Sequence, residues 1–232
     1  MRPHRAYVPE LRAEVWIEGP EGAHLVRVLR ARPGDRLTLF DGQGREALAE
    51  VVAIAGERVR VRVLDLQETD REPDIPVTLY LALLKGEKLF DVVRMGTELG
   101  VSRFVLVVSQ RSVAKAIGKG KLDRAMRVAV EAAKQSGRTR LPTIEGPLPL
   151  KALPRVGQGL VAEPHASARV GDVLDPSRPV SLLVGPEGGL SEEELRLAEA
   201  RGFTPVTLGR RILRAETAAC TLVALVTAAR GQ

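Results

Sequence analysis

Apolar and polar residues alternate with a period of two through much of the first seventy residues. Two strand-like runs surround a glycine-bearing turn in RLTLFDGQGREALAEVV, residues 36–52, and arginine alternates with valine in ERVRVRVLDL, residues 57–66. Period-two patterning is typical of strands with one buried face. We therefore predict a small β-rich domain over residues 1–70, whose last strand has a basic outer face.

A different pattern follows the charged, proline-bearing segment ETDREPDIP, residues 68–76, which is the best candidate for a linker. Beyond it, short apolar runs alternate with segments of helical periodicity. The runs predicted as strands are residues 77–84, 104–108, 160–163, 180–184 and 205–208. One predicted helix, from about Lys121, turns Leu122, Ala125, Met126, Ala129 and Ala133 inward. This alternation predicts an α/β domain over residues 75–232 with a mainly parallel sheet covered on both sides.

Composition places the chain among globular proteins, with 44% hydrophobic residues. The longest apolar segment, AACTLVALVTAA, falls short of the roughly 20 residues that a membrane span needs, and no signal peptide is evident. We expect a cytoplasmic protein with no membrane partner. The single cysteine, Cys220, forms no internal disulfide and is interpreted as a buried structural thiol. Three scattered histidines predict no metal site.

The net charge of +6 is concentrated in one part of the chain. Residues 111–140 contain nine basic and two acidic side chains. Helical spacing arranges part of this excess as a stripe along one face, which favours contact with an RNA backbone, although a solvated helix face explains it equally well. The predicted RNA-binding residues are Arg124, Arg127, Lys134 and Arg138.

A glycine-bearing turn interrupts LLVGPEGGLSEEEL, residues 182–195, at the end of a predicted strand. Gly188 and Gly189 permit close backbone approach or a positive φ, and Ser191 with Glu194 forms a capping-box pattern that begins a helix. In parallel α/β sheets, ligands bind at the carboxyl ends of strands, so the turn is a candidate ligand loop. A tight turn without a ligand is the alternative. The dinucleotide and P-loop fingerprints are both absent from the sequence.

A second loop of the same kind opens LGRRILRAETAA, residues 208–219. It begins at another predicted strand end with Gly209, carries three arginines and leads into a final helix that is apolar almost all round. A helix without a polar face is covered on most sides. This predicts that the last helix is buried within the fold or forms a subunit interface.

Taken together, these two loops, TELGVSRFVLVVSQRSV, EAAKQSGR and the N-terminal HLVRVLRARPGDRLTLFDGQG resemble the small-subunit ribosomal RNA uridine-N3 methyltransferases, the RsmE type of the SPOUT superfamily. The likeness covers nearly the whole chain. It implies an N-terminal PUA-like β-barrel that binds RNA and a methyltransferase domain with a C-terminal deep trefoil knot. It also implies S-adenosyl-L-methionine as cofactor, 16S rRNA of the small ribosomal subunit as substrate, and a homodimer.

The resemblance also implies site residues. The residues implied to bind the cofactor are Leu183, Val184, Gly185, Pro186, Glu187, Gly188, Leu208, Gly209, Ile212 and Leu213. Arg214, Arg111 and Arg138 are candidates for favouring a uridine anion, because a nearby cation stabilises the ionised form. Each has a rival role as a phosphate clamp. Glu216 is the first candidate for the proton acceptor and Glu187 the second.

Two alternative functions stay open at this level. Within the same superfamily, the enzyme could methylate the ribose 2′-oxygen or another base. In a different class, the chain could be a ribosome-assembly factor that binds RNA through its basic stripe and has no catalytic activity. Cofactor affinity discriminates between the classes, since a pure binding protein has no need of two glycine loops.

Overall fold

The computed structural model describes residues 4–69, 71–73 and 75–229. The chain separates into two compact units. The described residues up to Glu72, together with Ala133–Leu141, form the first unit. The described residues of Pro73–Ala132 and those from Pro142 onward form the second.

The first unit is built on a five-stranded sheet in the order β1-β3-β4-β5-β2. Its elements are β1 (His4–Tyr7), β2 (Glu14–Ile17), α1 (Gly19–Arg27), β3 (Arg36–Phe40), β4 (Arg45–Ala55) and β5 (Arg58–Glu68). Strand β1 pairs in parallel with β3, and the other neighbours pair antiparallel. The predicted strand runs on either side of the glycine turn are confirmed as β3 and β4. The alternation in β5 is confirmed as well, because Val59 and Val61 are buried whereas Arg58 and Arg62 are exposed.

Helix α1 was not predicted, because its sequence GPEGAHLVR is poor in helix-forming residues at its start. The structure explains one of its glycines. A Cβ atom on Gly22 would lie 2.3 Å from the carbonyl oxygen of Glu57 and 2.6 Å from that of Ile17. The close approach of backbone to backbone therefore requires glycine inside the helix, and this requirement hides the helix from propensity arguments.

Residues 133–141 join the first unit through contacts between segments far apart in the chain. Arg138 is buried and forms an ion pair with Glu72. The guanidinium of Arg71 donates a hydrogen bond of 2.7 Å to the carbonyl oxygen of Gly137. The sequence interpretation assigned this segment to the second domain, because partners that lie 66 residues away leave no local pattern.

The second unit contains a six-stranded sheet in the order β11-β9-β10-β6-β7-β8, in which every pairing is parallel. Its strands are β6 (Val77–Ala82), β7 (Arg103–Val108), β8 (Thr143–Pro149), β9 (Gly159–Ala162), β10 (Val180–Val184) and β11 (Phe203–Val206). The helices that follow these strands are α2 (Lys88–Glu98), α3 (Lys119–Ser136), α4 (Val170–Val173), α5 (Glu192–Ala200) and α6 (Ala215–Ala228). A short 3-10 turn covers Leu150–Ala152. The last residues of α3, from Ala133, belong to the first unit.

Both faces of this sheet are covered, as predicted. Along β6, Leu79 and Leu81 pack into one hydrophobic cluster, whereas Tyr80 and Ala82 pack into another. All four side chains are nearly inaccessible to solvent. A strand buried on both faces has a continuous apolar sequence, which is why the pattern changes after residue 76. The prediction of an α/β fold with a parallel sheet is thus confirmed.

Two strands depart from the predicted positions. Strand β11 begins at Phe203, two residues before the predicted start, because the buried Phe203 pairs with Gly159. Strand β8, TIEGPLP, was not predicted, since it is largely exposed and contains two prolines and a glycine. It lies at the edge of the sheet, where a strand tolerates proline.

The last helix, α6, buries most of one face, including Ala219, Leu222 and Val226, and leaves Leu225 44% exposed. Its Cys220 lies with Sγ 3.8 Å from the sulfur of Met95, and burial raises the pKa of this thiol to about 11. Cys220 was interpreted as a buried structural thiol, and the structure places it half-buried beside Met95. Among the described helices, none combines the length and apolar character needed to cross a membrane.

Candidate active site

A cavity of about 760 Å³ opens at the carboxyl ends of three strands of the second unit. Residues 163–165 follow β9, the first loop (Gly185–Leu190) follows β10, and the second loop (Leu208–Arg214) follows β11. All three segments line the cavity. Its volume falls within the roughly 300 to 1,000 Å³ of typical small-molecule and cofactor sites. The carboxyl edge of a parallel sheet therefore carries a pocket of suitable size where the sequence predicted one.

The first loop has a defined backbone path. Gly189 has a φ of +69°, and its amide donates a hydrogen bond of 2.8 Å to the carbonyl oxygen of Pro186. A Cβ on Gly185 would lie 3.0 Å from Cγ of Leu190. The predicted capping box is confirmed, since the Ser191 side chain accepts from the Glu194 amide and the Glu194 carboxylate accepts from the Ser191 amide. The glycines at 185 and 189 therefore serve the fold of the loop itself.

The segment after β7 braces this loop from outside. The guanidinium of Arg111 donates to the carbonyl oxygens of Gly188 at 2.9 Å and Leu190 at 3.2 Å. The backbone amide of Gln110 donates to the buried carboxylate of Glu194 at 2.7 Å. Arg111 thus contacts the loop directly, and its side chain also lines the cavity.

An ion-paired cluster lies at the other end of the first loop. The Lys88 ammonium is 3.1 Å from Oε1 of Glu187 and 3.5 Å from Oε2 of Glu216. Burial tends to raise the pKa of the Glu187 carboxyl, but its own backbone amide, the Lys88 ammonium and the Lys85 amide outweigh burial and lower that pKa. Oε2 of Glu216 is buried without a hydrogen-bond partner. In the described part of the chain, no group of three or more histidine, cysteine, aspartate or glutamate side chains is arranged to hold a metal ion.

The second loop is more open. Gly209 has a φ of +119°, a conformation that residues with a Cβ rarely adopt, and no atom lies within 4 Å of the position that its Cβ would take. Its amide donates to the Thr207 hydroxyl at 3.3 Å. Ile212 is 79% exposed, although its side chain is apolar. Arg214 precedes the first residue of α6 and is exposed at the cavity.

The structure brings nine of the ten predicted cofactor residues to the cavity. The nine lining residues are Val184, Gly185, Pro186, Glu187, Gly188, Leu208, Gly209, Ile212 and Leu213. Leu183 is the exception, because its side chain is fully buried in the hydrophobic cluster on the other face of β10. Successive strand residues point to opposite faces, and Leu183 takes the inward position.

Two of the four predicted catalytic residues line the cavity. Arg214 and Arg111 line the cavity, whereas Glu216 and Arg138 are not among the lining residues. Glu216 follows the lining residue Ala215 and contacts Lys88, which also lines the cavity. Arg138 belongs to the first unit, where it is paired with Glu72 and only 4% exposed.

The predicted RNA-binding residues do not form a free basic stripe. Arg124 is paired with Glu87 and its guanidinium carbon lies 3.9 Å from the ring centroid of Phe90. Lys134 is nearly buried and lies 2.6 Å from a carboxylate oxygen of Glu21, and Arg138 follows the end of α3. Arg127 alone of the four is exposed without an ion pair among the described residues. Helical spacing reveals which face a charge occupies but not the carboxylate that neutralises it.

Several cavity residues were missed by the sequence interpretation. Glu163, Pro164 and His165 directly follow β9, and Lys88 begins α2. Arg211 lies in the second loop and was noted there only as a charge. The rule that drew attention to the other two strand ends applies equally to LVAE, so the segment after β9 was within reach of the same argument. No comparable signal points to Lys88.

Comparisons with known proteins agree with this geometry. A family model described as an RNA methyltransferase domain matches residues 71–227, and one described as an RNA methyltransferase PUA domain matches residues 17–64. The ribosomal RNA small subunit methyltransferase E of Synechocystis sp. is 36% identical over 214 residues, which cover 88% of this chain and 70% of that protein. The protein of the same name from Bacillus subtilis is 34% identical, and the alignment covers 87% of this chain and 85% of that protein.

Two solved structures are similar over almost the full length. A methyltransferase from Legionella pneumophila, solved with the bound cofactor SAM, has a TM-score of 0.92 and 32% identity, and the match covers 99% of this chain and 98% of that chain. The ribosomal RNA small subunit methyltransferase E of Neisseria gonorrhoeae, bound to S-adenosyl methionine, has a TM-score of 0.87 and 30% identity with the same coverage. These matches confirm the resemblance carried by the sequence motifs. The chain belongs to the RNA methyltransferase family that includes the ribosomal RNA small subunit methyltransferases E.

Proposed function

We propose that the protein transfers a methyl group from S-adenosyl-L-methionine to N3 of a uridine in 16S rRNA of the small ribosomal subunit. The observation that carries this proposal is the cavity between the first and second loops, at the positions where the family motifs lie. Relatives of this chain are named as ribosomal RNA small subunit methyltransferases E, and two similar structures contain the cofactor.

The lining of the cavity suits this cofactor. Apolar side chains from both loops offer a surface for a planar base, and the exposed backbone of the glycine turns offers donors and acceptors for a ribose and an amino-acid group. Glu163, His165, Arg211 and Lys88 supply polar groups at its margin. The segments that hold the cofactor in this proposal are Val184–Gly188 and Leu208–Leu213, with Leu183 supporting the first of them from the core.

The chemistry divides between the cofactor and the chain. When bound, S-adenosyl-L-methionine supplies an electrophilic methyl group on a sulfonium centre. The chain orients the uracil and deals with its N3 proton, because the neutral imide is a poor nucleophile near pH 7. The Arg214 guanidinium stabilises the uracil anion as N3 loses its proton. Arg111 is already engaged with two carbonyl oxygens of the first loop, so its role is to hold that loop.

The proton acceptor in this proposal is the carboxylate of Glu216. Its buried Oε2 atom has one long ion pair, 3.5 Å from the Lys88 ammonium, whereas Oε1 of Glu187 accepts hydrogen bonds from both the Lys85 amide and the Lys88 ammonium. The lowered pKa of Glu187 makes its carboxylate a weaker base than a carboxylate of ordinary pKa. Methyl transfer by E216Q is expected to fall at least about 100-fold at pH 7, whereas E187Q is expected to lose much less. The opposite pattern would assign the acceptor role to Glu187.

We extend the proposal to architecture. The domain of residues 1–70, to which residues 133–141 add, is an RNA-binding PUA-like β-barrel, and the remainder of residues 75–232 forms the methyltransferase domain with a deep trefoil knot at its C-terminus. Its support is the family resemblance and the insertion of β10 between β9 and β6. A homodimer that uses α6 accounts for the partly exposed Leu225 on an otherwise apolar helix. Activity in the cytoplasm follows from a ribosomal substrate.

The decisive experiment is transfer of labelled methyl from S-adenosyl-L-methionine, followed by identification of the labelled nucleoside. The substrates are small ribosomal subunits that lack their native methylation, naked 16S rRNA and, as a control, large subunits. We expect 3-methyluridine from the small subunits. Label on a ribose 2′-oxygen or another base would replace the assigned specificity. Absence of both label and cofactor binding would instead support a non-catalytic assembly factor.

A further inference from the structure

The single tryptophan of the chain lies on the solvent-facing side of the first unit. Trp16 is 41% exposed on β2, whereas the following Ile17 is buried. Successive residues of a strand point to opposite faces, so the indole points away from the core to which Ile17 contributes. Strand β2 is also the last strand in the order of its sheet, and among the described residues no further strand pairs beyond it. Among the described strands, none therefore covers the indole beyond β2.

Two guanidinium groups lie over the indole ring. Trp16 pairs directly with Arg60 on β5, and the guanidinium carbons of Arg58 and Arg60 lie 5.1 Å and 5.7 Å from its ring centroid. Arg62 lies two residues further along the same strand, opposite Glu14. The buried Val59 and Val61 between the arginines keep all three basic side chains on the indole's side of the sheet. An aromatic ring thus stands beside a row of cations.

Carboxylates hold these cations only weakly. The ion pairs of Glu14 with Arg60 and Arg62 and of Glu18 with Arg58 have lengths of 3.8, 3.3 and 3.5 Å. All the side chains involved are more than 40% exposed, and exposed pairs of this kind contribute little to stability. Nε of Arg60 is buried without a hydrogen-bond partner. The guanidinium groups can therefore turn towards an incoming anion at low cost.

We propose that Trp16, Arg58, Arg60 and Arg62 form a platform that binds unpaired nucleotides of the substrate RNA. A base stacks on the open side of the indole, while the arginines contact the neighbouring phosphates. This inference rests on the proposed function in that it takes RNA as the substrate. Indole and guanidinium side by side are the groups that bind single-stranded RNA, by stacking and by phosphate contact. An apolar protein partner fits poorly, because the residues around the indole are charged.

The fluorescence of the single tryptophan reports on this platform directly. Titration of the full-length protein with single-stranded dodecauridine is expected to quench the emission, because stacking on a base quenches an indole. A twelve-base-pair RNA duplex, whose bases are already stacked, is expected to quench much less. Equal quenching by both would overturn the stacking proposal, and so would absence of quenching at concentrations where dodecauridine binds.

Matched variants separate the effect of base stacking from the effect of side-chain size. Binding of labelled dodecauridine is expected to weaken about tenfold or more in W16L, which keeps an apolar side chain, and to stay within about threefold in W16F, which keeps an aromatic ring. Alanine variants of Arg58, Arg60 and Arg62 are each expected to reduce the slope of log affinity against log salt by about one. R27A removes an exposed arginine of α1, and the slope of log affinity against log salt is expected to be unchanged in this variant. Equal binding by W16L and W16F would refute the platform.

Methyl transfer distinguishes failure of the platform from failure of the proposed function. W16L is expected to raise KM for the RNA at least about fivefold with little change in kcat, and to bind S-adenosyl-L-methionine normally, since the cavity belongs to the second unit. An unchanged KM for W16L, with an active wild-type enzyme, would refute the platform alone. An inactive wild-type enzyme would refute the proposed function, while the fluorescence experiment would still test RNA binding.

Discussion

The two glycine loops that form the cavity differ in how firmly the fold holds them. The first loop is braced by Arg111 and anchored by the capping box of Ser191 and Glu194. The second loop has few side-chain hydrogen bonds among the described residues and exposes Ile212 to solvent. Binding sites on rigid elements hold their ligands accurately. Exposed apolar residues on open loops gain the most burial when a ligand binds. The difference suggests that the first loop forms a preformed wall of the cavity and that the second loop forms an adaptable wall.

The largest effect should come from the adaptable wall, at Arg214. R214A is expected to lower the rate of methyl transfer at least about 100-fold, because the cation that favours the uracil anion is lost, while cofactor affinity changes less than about threefold. Single-turnover kinetics and calorimetry measure the two quantities. R210A is the matched control, since Arg210 is exposed in the same loop and is not among the lining residues. An equal loss of cofactor affinity in R214A would make Arg214 a cofactor ligand.

A substitution that loosens the preformed wall should lower the free energy of unfolding. E194A removes the capping-box carboxylate and leaves the Gln110 amide without its acceptor. Loss of a capping interaction costs about 1 kcal/mol, and a donor left without its acceptor costs about 1 to 3 kcal/mol, so we expect about 2 to 4 kcal/mol less free energy of unfolding. Urea denaturation measures this change. E192A provides the comparison, because Glu192 lies in the same turn but is largely exposed. Similar losses of unfolding free energy in E194A and E192A would contradict the role of the Glu194 carboxylate in holding the first loop.

Removing the hydrogen bonds from Arg111 to the first loop should weaken cofactor binding. R111M keeps most of the apolar stem of Arg111 and removes both hydrogen bonds to the first loop. We expect cofactor affinity to fall about tenfold, since each lost bond is worth about 1 kcal/mol and part of that loss falls on the shape of the site. Faster amide exchange over residues 188–190 should accompany it. Unchanged exchange with reduced affinity would mean that Arg111 contacts the cofactor itself.

The adaptable wall should tolerate a polar residue at Ile212. I212S is expected to change the free energy of unfolding by less than about 0.5 kcal/mol, because the side chain is already exposed. Cofactor affinity should fall about threefold to tenfold, since burial of this side chain by the ligand is lost. Thermal unfolding with and without cofactor checks both statements. A stability loss as large as that of E194A would mean that the second loop is as rigid as the first.

The smallest effect concerns the pH dependence of the Glu187 ion pair. The pKa of Glu187 is lower in the folded protein than its ordinary value, so its contribution to stability is present above the unfolded pKa of about 4.3 and is lost as the pH falls through the folded value. The stability difference between wild type and E187Q should therefore shrink as the pH falls below the unfolded pKa, by less than about 1 kcal/mol. Urea titrations at several pH values measure it. A difference that grows on acidification would contradict the lowered pKa.

Local patterns predicted the elements that depend on local sequence. The apolar runs gave the strands of the second unit because both faces of its sheet are buried, and Ser191 with Glu194 marked the start of α5 because a capping box is confined to four residues. The loops at the ends of β10 and β11 were recognised by their glycines. Their meeting at one cavity followed from the rule for parallel sheets.

Local patterns could not predict features that depend on partners far away in the sequence. The acidic partners of Arg124, Lys134 and Arg138 lie 37, 113 and 66 residues away, and these pairings changed the picture of a free basic stripe. Helix α1 was hidden by a glycine that close packing requires. Lys88 reaches the cavity only because α2 brings it beside Glu187. In each case the informative contact is made in three dimensions.

The environment of Cys220 also affects how the protein can be labelled. With a pKa of about 11, only about one thiol in ten thousand is ionised at pH 7, and the thiolate is the form that reacts with maleimides and other electrophiles. Because Cys220 is the single cysteine, a new cysteine at an exposed position outside the cavity lining, such as Arg210, should react selectively without removal of the native thiol. A spin label or fluorophore attached there would record the motion of the second loop as cofactor and RNA bind.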